Sequence, residues 1–223
     1  SAPFSRVLIA NRGVIAIRIA QACDELGIES LAVYAEDDHA SLHTRKADRA
    51  VALNGRRVAA YLDQAQMLAV ARAEQCDAIH PGYGFLAENA VFAEQCAAAG
   101  IRFIGPDAGV LRQFGDKAAA RALAERCDVP LVPGINRAVE LSEAQAFFAE
   151  HGALMLKALA GGGGRGMAPV SEAAQLADAF ARCQAQAQGA FGCGDLYVEK
   201  LVQRARHIEV QVLGDGTGMV SHL

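Results

Sequence analysis

"RVLIANRGVIAIRIAQACDELGIESLAVY" (residues 6–34) carries the decision about fold class. A short apolar run, 6–10, has no polar alternation and reads as a strand buried on both faces. The polar "NRG" (11–13) follows. Residues 14–26 then place apolar side chains at helical spacing up to a stop at Gly27, and 28–34 returns to an apolar strand. Strand, loop, helix, strand is the unit of a parallel sheet with helices on its faces. The alternation continues. After the polar loop "AEDDHASLHTRKAD", strands are expected at 49–53, 77–80 and 101–105, with helices at 61–75 and 88–99. In such a sheet ligands collect at the carboxyl ends of strands, so "NRG" and "HPGYGF" (80–85) are expected on one rim.

Beyond Pro106 the rhythm changes. Two helical segments, 107–114 and 116–127, lead through "DVPLVPG" into a smaller unit. There Ser142 and Gln145 suggest a capping box opening a helix at 143–151. Strands are expected at 153–159 and at "MAPV" (167–170). Ser171 is read as the cap of a helix at 172–187, and further strands follow at 195–202 and 206–214. In 206–214, Ile208, Val210 and Val212 alternate with His207, Glu209 and Gln211. "DGTG" (215–218) is a turn. "MVSHL" (219–223) reads as the return strand of a hairpin, in which the chain stops, so a piece of a longer protein, or an unusually short protein, is expected. The fold class is therefore α/β: a domain with a parallel sheet covered by helices on both faces, followed by an α+β unit with an antiparallel sheet.

The chain has 223 residues, 52% hydrophobic, with net charge −4, enough material for one large domain or two modest ones. A mildly acidic balance argues against a nucleic-acid or anionic-membrane surface. No apolar run is long enough to span a bilayer, and "SAPFSRVLIANRG" lacks the h-region of a secretory signal. The six cysteines show neither CxxC nor His/Cys metal spacing and are read as reduced thiols of a cytoplasmic protein.

"KALAGGGGRGM" (157–167) poses the functional question, because four consecutive glycines are costly to order. Backbone N–H groups freed of side chains can turn toward phosphate oxygens. The bland alternative is a surface linker. Lys157, inside an apolar strand, favours the first, since a buried lysine needs an anionic partner. Walker A spacing is absent. "GYGFLA" (82–87) matches a dinucleotide fingerprint only weakly, with Pro81 before it. Glu199 interrupts another apolar strand, and Lys117 opens a helix whose dipole its charge opposes. His80 is read as a structural turn residue beside Pro81 and Gly82.

In order and spacing, "IANRGVIAIRI", "HPGYGFLAEN", "FIGP", "GDK", "KALAGGGGRGM", "YVEK" and "RHIEVQVL" resemble the biotin carboxylase component of biotin-dependent carboxylases, an ATP-grasp fold. The resemblance implies a Rossmann-like, parallel-sheet N-terminal domain over 1–113 and a partial ATP-grasp domain over 114–223, with an α+β lid at about 131–201. It implies ATP as ligand. Lys117 and Lys157 would contact its phosphates, and Gly163 and Gly164 would donate backbone N–H groups. Glu199, Lys200, Leu201 and Val202 would line the adenine pocket, and His207 would reach the nucleotide. It further implies Mg2+ bound by residues beyond 223, bicarbonate, and biotin carried on a carrier domain. A carboxyltransferase component and a homodimer are the other implied partners. The catalytic groups would lie outside this chain. Two alternatives remain open here: a non-catalytic nucleotide-binding or assembly module, and another ATP-grasp ligase of the carbamoyl-phosphate synthase type. Val14, Leu159 and Pro169 depart from the pattern, and a proline in a strand requires an edge or a bulge.

Overall fold

A computed structural model describes residues 4–160 and 166–223, without the side chains of 117 and 118. The chain divides into two compact units, Ser1–Ala120 and Arg121–Leu223.

In the first unit, β1 (Arg6–Ile9), β2 (Glu29–Tyr34), β3 (Arg49–Ala52), β4 (Ala78–His80) and β5 (Arg102–Phe103) form one parallel sheet in the order β3-β2-β1-β4-β5. Every paired neighbour is parallel, as the strand–helix alternation requires. Both faces are covered. Val7 and Ile9 pack with Ala16, Ile19, Ala20 and Cys23 of α1 (Gly13–Glu25), whose buried positions recur at helical spacing. Leu8 points the other way, into a cluster with Leu31, Ile79, Tyr61, Met67 and Phe92. Double coverage is why β1 and β2 read as unbroken apolar runs.

The helix expected over 61–75 is two helices, α2 (Arg57–Leu62) and α3 (Gln64–Ala73). Asp63 breaks it by leaving helical geometry and accepting a hydrogen bond from the Gln66 N–H, 3.0 Å away, as the N-cap of α3. On α2, the Tyr61 hydroxyl donates to Asp38 (2.8 Å) and accepts from the Ala35 N–H (3.2 Å). Asp38 also takes the Arg12 guanidinium at 2.9 Å, and these contacts hold its carboxyl below the usual range against the effect of burial. The helix expected at 88–99 is α4 (Ala90–Ala98), capped by Asn89. The next is α5 (Ala108–Gly115), capped by Asp107, and the Asp116 side chain then accepts from the Ala119 N–H at the start of α6 (Lys117–Arg126).

Asn11 joins the two rim loops. It is buried, and its amide donates to Pro81 O (2.8 Å) and Tyr83 O (2.9 Å), so "NRG" and "HPGYGF" share a rim as expected. Gly82 is required beside it: at φ +66, an added Cβ would lie 2.6 Å from the Asn11 amide nitrogen.

The second unit is built on a four-stranded antiparallel sheet ordered β6 (Gly134–Ile135), β9 (Leu196–Lys200), β7 (Leu154–Ala158), β8 (Met167–Val170). Its inner face, Leu154, Leu156, Ala158, Leu196 and Val198, packs on α7 (Leu141–His151) and α8 (Leu176–Phe191). Pro169 stands on β8, an edge strand, where a missing N–H breaks no ladder.

Three local expectations are corrected. The capping box is Glu140 with Glu143, two residues earlier than Ser142 with Gln145, so α7 opens at Leu141. Arg137 clamps the Glu143 carboxylate at 2.6 Å, which fixes this register. Ser171 does not cap α8: a short 3-10 turn, Ala173–Gln175, intervenes, and α8 begins where Leu176 enters the core. It runs on to Gly192, whose φ of 73° supplies the left-handed stop. The strand expected at 206–214 is paired only as β10 (Val212–Gly214) against β11 (Val220–His222). A strand needs a neighbour for its backbone groups, and among the described residues 206–210 have none.

Two outcomes follow. Asn11→Ala leaves the Pro81 and Tyr83 carbonyls without their donor, and urea unfolding should show a loss of about 2–4 kcal/mol. The Glu143 carboxyl is held down to about 2, chiefly by the Arg137 hydrogen bond. A lowered carboxyl stabilises above its unfolded value and loses that contribution as pH falls through the folded value. The melting-temperature difference between the chain and Glu143→Gln should therefore be constant above about pH 5 and shrink toward pH 2.

Candidate nucleotide-binding site

Strand alternation puts the chemistry on one face. With Leu154, Leu156 and Ala158 turned into the core, Met155 and Lys157 must face outward. On the neighbouring strand Tyr197 is paired with Lys157, and Glu199 with Met155. Lys157 therefore reaches Glu199 diagonally, and its ammonium is ion-paired and hydrogen-bonded to that carboxylate. The ammonium also lies 5.9 Å from the centre of the Tyr197 ring, within cation–π range. Both partners are largely shielded, with side-chain exposures of 24% and 19%. Burial, and secondarily the Glu199 charge, push the Tyr197 hydroxyl up to about 12, so it stays protonated at neutral pH. The anionic partner that Lys157 required from the sequence is thus present in the chain itself.

Gly134 makes room for this pair. It lies opposite Glu199 on β6, and an added Cβ would come within 2.9 Å of Val198 O and 3.1 Å of Glu199 Cγ. "VPG" (132–134) ends in glycine for that reason.

Past β9 the chain leaves the sheet. The Lys200 N–H donates to Pro133 O and the Leu201 N–H to Ala153 O, both at 2.8 Å. The next N–H, on Val202, has no hydrogen-bond partner among the described residues. Lys200, Leu201 and Val202 line a cleft of about 490 Å³ with Val132, Pro133 and His151. His151 was not anticipated as a lining residue. It is the last residue of α7, turned by Gly152, and its position just before that helix stop was the available signal.

The structure thus brings Lys157 and Glu199 together on the outward face of the sheet, and Lys200, Leu201 and Val202 together along a cleft that neither Lys157 nor Glu199 lines. His207 stands apart, 82% exposed, with Glu209 at 3.6 Å as its neighbour. Gly163 and Gly164 lie outside the described residues, as does the side chain of Lys117, whose backbone opens α6. On the rim of the first unit, His80 Nδ1 accepts the Gly82 N–H at 3.0 Å, and burial lowers its affinity for a second proton. That is the structural role expected of it. "GYGFLA" does not open a helix, since α4 starts only at Ala90, so the dinucleotide reading fails on geometry. Val14 leaves the first turn of α1 without an acidic residue.

A family model described as "Biotin carboxylase, N-terminal domain" matches residues 3–111, and one described as "Carbamoyl-phosphate synthase L chain, ATP binding domain" matches 116–223. The mitochondrial pyruvate carboxylase of Rattus norvegicus is 48% identical across 99% of the chain, and the pyruvate carboxylase of Bacillus subtilis is 46% identical across 98%. The chain belongs to the biotin carboxylase family. The N-terminal match and these full-chain relatives decide between it and a carbamoyl-phosphate synthase. The biotin carboxylase–β-γ-ATP complex from Campylobacter jejuni superposes with TM-score 0.91 at 40% identity, covering 98% of this chain. The biotin carboxylase domain dimer of Hydrogenobacter thermophilus 2-oxoglutarate carboxylase, with MgADP, ADP and bicarbonate, gives 0.89 at 42%, again over 98%. The chain spans about half of those two chains and 19% of the pyruvate carboxylases.

No helix among the described residues is long and apolar enough to cross a membrane. Also among them, no three His, Cys, Asp or Glu side chains come together in a group that could hold a metal ion.

Gly134→Ala should force the β6–β9 contact apart. A loss of about 1–3 kcal/mol in urea unfolding is expected, against little change for Gly189→Ala, where the added Cβ meets open space.

Proposed function

We propose that the chain is the ATP-binding part of a biotin carboxylase, which uses ATP and bicarbonate to carboxylate biotin on a carrier protein. One observation carries the reading: Lys157 stands outward on the strand that runs into the glycine stretch, held in place by Glu199. Lys157 and Lys117 would take phosphate oxygens, with Gly163 and Gly164 donating backbone N–H groups. Lys200, Leu201 and Val202, with the stem of Glu199, would form the nucleobase wall. The Val202 N–H, without a partner among the described residues, would supply a donor for a ring nitrogen, and His207 would approach the nucleotide from its own segment. Phosphoryl transfer relies on positioning and charge stabilisation, which is what two cations and a bare backbone offer.

Mg2+ would neutralise phosphate charge and would be held by residues outside this set. The domains we assign are 1–113 and 114–223, with a lid at about 131–201; the two family matches, 3–111 and 116–223, support that division. Bicarbonate, a biotin carrier domain, a carboxyltransferase component and a second copy of the chain are the proposed partners. A cytoplasmic setting is supported by six unpaired thiols.

Isothermal calorimetry should show ATP binding by the chain, weakened at least tenfold by Lys157→Ala, the scale of one charge-assisted hydrogen bond. Unchanged affinity would reject the assignment of Lys157. The chain by itself should show no bicarbonate-dependent ATP cleavage with free biotin, measured by phosphate release. Clear turnover would refute the proposal that the catalytic groups lie elsewhere.

A further inference from the structure

Glu199 was expected to serve the nucleobase, and its carboxylate is engaged elsewhere. Its stem rises from β9 beside Gly134, and its oxygen meets the Lys157 ammonium. We infer that the Glu199 carboxylate is a positioning residue for Lys157, fixing the ammonium over the Tyr197 ring so that a phosphate meets a cation already in place. This inference rests on the nucleotide reading above.

The chemistry of lysine gives the reason. Its four-carbon stem has one of the largest rotamer entropies of any side chain, about 1.5–2 kcal/mol, and a ligand that must order it loses that much affinity. Here the chain's own contacts supply that order. Gly134 sets the position of the Glu199 stem, Glu199 holds the ammonium, and Tyr197 forms a floor under it. An ammonium has three N–H donors. Glu199 takes one and the ring face takes none, which leaves donors for phosphate oxygens.

The opposing effect is the negative charge of Glu199, which repels a phosphate. The two effects separate by substitution. Glu199→Gln keeps an acceptor oxygen at the same reach and removes the charge. Glu199→Ala removes both.

Calorimetry on the chain with ATP and with adenosine tests the assignment, with thermal unfolding to confirm that each variant is folded. Glu199→Ala should weaken ATP about tenfold more than it weakens adenosine. Glu199→Gln should restore ATP affinity to within about threefold of the unaltered chain. In a Lys157→Ala background, Glu199→Ala should cost ATP nothing further, because no ammonium remains to position. If Glu199→Ala binds ATP as tightly as the unaltered chain, or weakens it equally in the Lys157→Ala background, the positioning role is overturned and the nucleotide reading survives. A Gln variant that binds ATP several-fold more tightly than the unaltered chain also overturns it, since the carboxylate would then be a competitor. Absence of ATP binding to the unaltered chain, or indifference of ATP to Lys157→Ala, overturns the nucleotide reading and this inference together.

Discussion

The antiparallel pairing of β7 with β9 is the constraint on which the candidate site depends. It fixes which residues alternate inward, and the inward set Leu154, Leu156, Ala158, Leu196 and Val198 is buried under two helices. Slipping the register by one residue would drive Lys157 and Glu199 into that core and expose the leucines. The hydrophobic effect therefore holds the ion pair in place from behind, and the pair itself need contribute little to stability. Its value is geometric. A cation, an aromatic ring and a carboxylate are locked on one face of a rigid sheet, at the root of a glycine-rich stretch.

The first unit uses a related device for a different end. Arg12, Asp38 and Tyr61 also combine a cation, a carboxylate and a ring, with the Arg12 guanidinium 5.7 Å from the Tyr61 ring centre. Here the hydroxyl of Tyr61 also accepts a backbone N–H, so the cluster ties α2 and the loop after β2 to the "NRG" turn. Asn11 does the same for the loop after β4. The rim of the sheet is thus cross-braced by side chains that hold backbone in place, and its glycines permit the approach. A lysine, with rotatable donors, stands where a ligand is expected; an arginine, with a planar fork, stands where loops are pinned.

Much of this was legible in the sequence because burial on both faces leaves an unbroken apolar signature, and burial on one face leaves an alternating one. The five parallel strands and the α7–β7–β8–α8 order were readable on that ground. Helix starts were less so. Ser142 and Ser171 are good capping residues, but Glu140 with Arg137 made the earlier register available, and Leu176 entered the core only after a 3-10 turn. Asp63 inside a helical pattern was the overlooked break. Of the candidate site, Lys157 and Glu199 were marked because charges interrupt apolar strands. Their mutual contact was hidden, since residues 42 apart in the chain meet only through sheet pairing. His151 and Gly134 carried even less signal, because what they contribute is shape.

Pro169 has a consequence for how the second unit behaves among other molecules. A sheet edge with a full row of free N–H groups is a template on which a foreign strand, or the same strand of a neighbouring copy, can grow a shared ladder. At the β8 edge proline deletes one of those donors, and at the opposite edge β6 is only two residues long. Neither margin offers an unbroken template, so the sheet that carries the site is guarded against fibrous accretion by its own borders.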